Sequence, residues 1–138
     1  MVMIVAGEYS VDEFMAAMST GSGRKAFFND GKSFKRTSQR MLLFFRDGFT
    51  CVDCGLTGNR FALESVREKD TPHLNLYHVF ENEFGKNERI LFTKDHILPR
   101  SRGGRDELLN YQVMCQICNA KKGNQLENER VKRQIVVD

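Results

Sequence analysis

The chain's four cysteines fall into two Cys-x-x-Cys pairs, Cys51-Val52-Asp53-Cys54 and Cys115-Gln116-Ile117-Cys118. No other feature restricts the fold as much. Two cysteines spaced by two put both thiols at one tight turn, and two such turns together supply the four ligands of a tetrahedral structural Zn²⁺. The first pair has the form of a zinc knuckle, with Phe49 leading in and Gly55 where the turn needs free backbone angles. If all four thiols meet, the site closes a long loop, and an insertion between knuckles costs little when it folds on itself. Two disulfides or four buried thiols are the alternatives. The opening MVMIVAGEYS has no basic region and only a short apolar run, so it does not read as a secretory signal. A cytoplasmic, reducing location follows as the expectation, and there metal binding is favoured over disulfides.

The second pair lies inside a longer polar pattern, FTKDHILPRSRGGRDELLNYQVMCQICNAKKGN, from Phe92 to Asn124. Asp95 and His96 end an apolar strand-like run of Ile90, Leu91 and Phe92. A charged loop with Gly103-Gly104 leads to Asn110, and Asn119 directly follows Cys118. Phosphodiester hydrolysis needs an activated water and a cation to offset transition-state charge, and residues of these types can supply both. A neutral His96 imidazole suits general-base work near neutral pH. Asp95 and Asn119 offer oxygen ligands, which suit a hard divalent cation such as Mg²⁺ that keeps several waters. In a regular strand Asp95 and His96 point to opposite faces. Both reach one site only if the strand ends or distorts there, and Pro99 is consistent with an early end. Asn110 is placed to hold the loop through side-chain bonds to its backbone.

The pattern D-H-I-x-P, G-G, N, C-x-x-C-N-x-x-K-G resembles the HNH endonucleases, whose site is a small ββα-metal (His-Me) finger. The resemblance is close over Arg46–Cys54 and Phe92–Asn124 and loose elsewhere. It implies that His96 activates water, that Asp95 and Asn119 bind Mg²⁺ or another divalent cation, and that Asn110 orients His96. The family often has His at the third signature position; here it is Asn119. Many relatives carry the same two knuckles flanking the Asp-His strand, in line with Cys51, Cys54, Cys115 and Cys118 as zinc ligands. The implied partner is DNA, and the compact size looks like the small nucleases of bacteriophages and mobile elements.

Composition adds bounds rather than identity. With 138 residues, 41% hydrophobic and 28% charged, the chain reads as one ordinary globular domain. No apolar run approaches a membrane span. A net charge of +3 does not by itself argue for nucleic acid; the placement of cations does. Arg100, Arg102, Arg105, Lys121 and Lys122 crowd the Asp-His pair and favour a phosphate backbone as partner. A helix starting after Asn119 would add its N-terminal N–H groups to that field.

Ser10 and Glu13 form a capping box before Val11, Phe14, Met15 and Met18, which recur at helical spacing until Gly21. A second helix is expected from about Phe34 to Asp47, starting near Ser33 and stopping at Gly48, with Phe34, Met41, Phe44 and Phe45 on its apolar face. Lys32, Arg36 and Arg40, spaced by four, would share its other face, either as a ridge contacting phosphates or as a solvated surface. Between the knuckles, residues 61–66 alternate weakly and 74–80 clearly as strands, and 81–88 read as a hairpin loop returning into Arg89–His96. His73 and His78 have no spacing partner and read as surface or structural positions.

The expected fold is therefore α+β. A helical N-terminal part, 1–48, precedes a zinc-stapled nuclease core, 49–125, on a small antiparallel sheet with an inserted hairpin at about 56–89. A tail, 126–138, continues as helix or docks Ile135-Val136-Val137. Metal-dependent DNA cleavage is the expected function. A nucleic-acid-binding module without cleavage and a junction-resolving nuclease are the alternatives, and monomer and homodimer are both open.

Overall fold

A computed structural model describes residues 3–126 of the chain. The tail expected beyond Leu126, including Ile135-Val136-Val137, lies outside the described residues. The architecture is α+β: a five-stranded antiparallel sheet, a separate two-stranded hairpin and three helices. In chain order these are β1 (Ile4–Tyr9), α1 (Val11–Thr20), β2 (Lys25–Phe27), β3 (Ser33–Lys35), α2 (Gln39–Asp47), β4 (Arg60–Ser65), β5 (His73–Glu81), β6 (Asn87–His96), β7 (Tyr111–Cys115) and α3 (Gln116–Lys122). The large sheet runs β1-β4-β5-β6-β7. Among the described residues, no helix is long and apolar enough to cross a membrane.

Local signals account for several elements. Ser10 caps α1, with its hydroxyl accepting from the Glu13 N–H at 3.0 Å while the Glu13 carboxylate accepts from the Ser10 N–H at 2.9 Å. That reciprocal box satisfies two donors that a helix start otherwise leaves open. The strands β4, β5 and β6 lie where alternation predicts them, and a turn at Asn82–Lys86 joins the last two, with Asn82 N–H donating to Lys86 O at 2.8 Å.

The N-terminal region departs from expectation. It is not purely helical, because Ile4–Tyr9 forms an edge strand on β4 and Ser33–Lys35 pairs with Lys25–Phe27. The second helix begins at Gln39, not near Phe34; Ser38 is its N-cap, accepting from the Met41 N–H at 3.2 Å. Residues that helical spacing would place on one face instead close a hairpin, so Lys32, Arg36 and Arg40 form no ridge. Lys32 Nζ donates to Ala6 O, Arg36 Nε to Gly23 O at 2.8 Å, and Arg40 Nη2 to Leu74 O and Asn75 Oδ1, both at 2.7 Å.

The core is aromatic at its centre. Phe61 of β4 stacks on Phe14 of α1 at 4.2 Å and meets Phe44 of α2 and Phe49 edge-on at 6.1 and 5.8 Å. One ring thus joins both longer helices and the segment leading into the first knuckle. Such ring pairs contribute beyond their area. Phe61→Ala should cost about 4 kcal/mol of unfolding free energy, read from urea denaturation. A loss below about 1 kcal/mol would mean that the cluster does not bind the layers together.

Candidate active site and metal centre

The two Cys-x-x-Cys turns converge. The ligand sulfurs of Cys51, Cys54, Cys115 and Cys118 all lie within 4.8 Å of one another, and Cys54 Sγ and Cys115 Sγ are 3.9 Å apart. A tetrahedral site with metal–sulfur bonds near 2.3 Å has sulfur–sulfur edges of about 3.8 Å. The cluster therefore fits a thiophilic metal ion in both donor type and spacing. All four thiols are free, and no disulfide joins them.

Backbone geometry makes this convergence possible. The Cys51 N–H donates to Leu56 O at 2.8 Å and the Gly55 N–H to Cys51 O at 3.1 Å, closing the first turn. Gly55 sits at φ +80°, a conformation that only glycine adopts cheaply. Val52 N–H donates to Val113 O at 3.0 Å, tying this turn to β7. The second turn straddles an element boundary: Cys115 ends β7 and Cys118 lies in the first turn of α3. Burial raises the Cys51 thiol, but backbone N–H groups of Cys115, Cys54 and Asp53 outweigh it and bring the thiol down to about 7. Burial and the neighbouring thiols push Cys118 up. Without a cation the cluster favours a mixture of thiolate and thiol, and a bound metal removes that conflict.

Strand β6 carries the Asp-His pair to its last residue. It pairs with β7 through Asp95↔Gln112 and His96↔Tyr111, whereas β5 accompanies it only as far as Leu91. The strand stays regular between Asp95 and His96, so the alternation holds and the two side chains lie on opposite faces. Thr93 and Asp95 meet α3: Asn119 Nδ2 donates to Thr93 Oγ1 at 3.0 Å, and Lys122 Nζ contacts Asp95 Oδ2 and the His96 carbonyl. Gln112 Nε2 also donates to Asp95 Oδ2, at 2.9 Å.

On the other face are Lys94 and His96. Lys94 Nζ lies 3.4 Å from both Gln39 Oε1 and Tyr111 Oη and 4.5 Å from the Tyr111 ring centre. The His96 ring stands edge-on to Tyr111 at 4.9 Å, and its Nε2 is 2.7 Å from Asp106 Oδ1. That hydrogen bond, with a smaller contribution from Arg100, holds the Asp106 carboxyl below the usual carboxylate range. Asp106 carries no spacing signal in the sequence. Only the loop's closure brings it to the histidine.

That loop is held as expected of Asn110. Its Oδ1 accepts from the Leu98 N–H at 2.9 Å, and its Nδ2 donates to Leu98 O at 3.0 Å and Arg105 O at 2.9 Å. A Cβ at Gly104 would stand 1.7 Å from Leu98 O, so the second glycine is required by the loop's close approach. From outside, α2 braces the same loop. Gln39 Nε2 donates to Asp106 O at 3.3 Å, and Arg46 donates to Leu108 O and Tyr111 O, each at 3.0 Å.

Two expectations about α3 need correction. The helix begins at Gln116, not after Asn119, because Cys115 serves as its N-cap; its N-terminus belongs to the cysteine cluster and Asn119 sits mid-helix. Lys122 is 2% exposed and spent on Asp95, itself 6% exposed, so its ammonium is a buried counterion and not a surface phosphate contact. Lys121, Arg100, Arg102 and Arg105 remain on the exposed surface.

Asp95 and Asn119 therefore share the α3 face and offer a carboxylate and an amide, donors that a hard cation accepts. The donor types suit such an ion, and the Lys122 ammonium and Gln112 amide already hold Asp95 Oδ2, so a cation would compete with them.

Residues 82–135 match the family model described as HNH endonuclease. The match covers β6, β7 and α3 but begins after the first cysteine pair. Neither the comparison with curated proteins nor that with solved structures returned a match.

Removing one partner of a buried ion pair leaves the other uncompensated. Lys122→Met should thus destabilise the protein by about 3 kcal/mol in urea unfolding without added divalent ions, and Asp95→Asn on that background should recover part of the loss. A change under about 1 kcal/mol, the size of a surface pair, would contradict the buried-counterion role.

Proposed function

We propose, on the match of residues 82–135 to the family model described as HNH endonuclease, that the chain is a metal-dependent endonuclease hydrolysing DNA phosphodiester bonds, with His96 as general base. The observation that carries this reading is the setting of the imidazole. It stands partly exposed at the end of β6, with Nε2 on Asp106 at 2.7 Å. An ionised carboxylate only accepts, so Nε2 carries the hydrogen and Nδ1 keeps the lone pair that can take a proton from water. Asp106 then orients the ring and stabilises the imidazolium that forms, as a carboxylate does for a histidine base elsewhere. It is a positioning residue. Asn110 keeps the loop that carries Asp106 closed, and so orients His96 indirectly.

Asp95 and Asn119 are the residues that would hold a divalent cation such as Mg²⁺, which supplies charge stabilisation at the phosphate and leaving oxygen. Beyond Leu91 one edge of β6 is free of β5, and there Lys122 Nζ touches both Asp95 Oδ2 and the His96 carbonyl. This strand end is where both faces are reachable, and the scissile phosphate is assigned to it. The cysteine cluster is the structural Zn²⁺ site of the ββα-metal finger formed by β6, β7 and α3. The same Lys122 contact favours one second reading, a nucleic-acid-binding module without cleavage, because the ammonium already neutralises the carboxylate a cation would use.

Supercoiled plasmid incubated with Mg²⁺ or Mn²⁺ separates these readings. Wild type should nick or linearise it, and His96→Ala should lose a hundredfold or more, about the contribution of a general base, while still binding DNA. Asp106→Asn should slow cleavage without weakening DNA binding and alter the acid limb of the rate profile, with Asp106→Glu recovering more rate than Asp106→Asn. His96→Ala cutting at the wild-type rate would end the catalytic assignment. A wild type that binds DNA but cuts nothing under any divalent ion would hand the chain to the binding-module reading.

A further inference from the structure

The face of β6 that presents His96 continues into a groove of about 630 Å³ between the β2–β3 hairpin, the start of α2 and the start of β5. Its lining carries Arg24, Lys25, Lys35, Arg40 and Lys94, and no carboxylate. On a chain with 21 Lys+Arg against 18 Asp+Glu, that segregation of charge is local and not a reflection of composition. We propose that this groove is the track for one phosphate backbone of a DNA duplex, leading it to His96. The proposal rests on the nuclease reading for its direction but has its own physical basis.

The first support is an unfavourable pairing. Lys25 and Lys35 are directly opposed across the hairpin, and like charges in such a position destabilise a strand pair. Neither they nor Arg24 make an ion pair among the described residues. A phosphate between the two ammonium groups would relieve their repulsion.

Continuity with the site is the second support. Lys94 ends the groove and lies two residues before His96 on the same face of β6. Gln39, also in the lining, contacts Lys94 at 3.4 Å and donates to the Asp106 carbonyl at 3.3 Å. The groove thus ends one hydrogen-bonded step from the residue that holds the imidazole. Its lining also says which form of nucleic acid it takes. Grooves for single strands use successive exposed aromatic rings as stacking platforms, whereas here Phe34 is buried and the His73 imidazole is the single exposed ring in the lining. What remains is charge for a backbone, the sequence-independent part of duplex binding.

The test is duplex binding by fluorescence anisotropy across a salt series, with no divalent ion added so that no strand is cut. Lys25→Ala/Lys35→Ala should flatten the log–log salt slope by about 1.8, roughly 0.9 for each lost phosphate contact. Lys86→Ala, in the distant β5–β6 turn, should leave it unchanged. The double variant should melt no lower than wild type, since a repulsive pair has been removed. An unchanged slope, or a slope shared with Lys86→Ala, overturns the groove, as does a wild type that binds no duplex. Plasmid cleavage by wild type is scored separately. Cleavage with an unchanged slope sinks the groove alone, and a flattened slope without cleavage sinks the nuclease reading alone.

Discussion

Four sulfurs within 4.8 Å of one another are the constraint on which the rest of the structure depends. They join the turn after α2 to the junction of β7 and α3, so the segment between them must fold back on itself. It does so as β4, β5 and β6, adjacent strands of one antiparallel sheet. The cluster also sets where α3 begins, because Cys115 is both a ligand candidate and the helix N-cap. From that start, Asn119 and Lys122, one turn apart, face Thr93 and Asp95, which alternate along β6. A helical repeat and a strand repeat are brought into register by a cysteine pair. Metal binding at such a cluster is folding free energy, since the unfolded chain has no preformed site.

The second organising constraint is the regularity of β6 to its last residue. Alternation sends Asp95 toward α3 and His96 toward Tyr111 and Asp106, so adjacent residues serve two environments. One is buried and closed by an ammonium. The other is open and continuous with a basic groove. The division separates the imidazole proposed to move a proton from the groups that would hold a cation, and the strand's free edge is where the two faces meet. Lys94 and Gln39 link the open face to the start of α2 and to the loop that carries Asp106.

What is legible in the sequence is what local chemistry determines. The capping box at Ser10 and Glu13 is local and lies where the residues indicate. The cysteine pairs meet because their spacing leaves few other uses for four thiols. Asn110 holds its loop, as its place after Gly103-Gly104 suggests. The misplaced features are those decided by tertiary partners. Phe34 fits a helical stripe, but its backbone pairs with Ala26 in a hairpin. Lys122 resembles a surface cation until Asp95 is found beneath it. Asp106 is one of two adjacent acids in a charged loop, and nothing short of the folded loop distinguishes it from Glu107.

Assembly of the β6–β7–α3 core around one four-thiolate metal is tested most directly by metal analysis of the gel-filtered protein together with its unfolding midpoint before and after chelation. One zinc per chain is predicted, with a midpoint that falls when the metal is removed and recovers when it is restored. A zinc-free chain with all four thiols reduced, folded and no less stable than the untreated protein would contradict it.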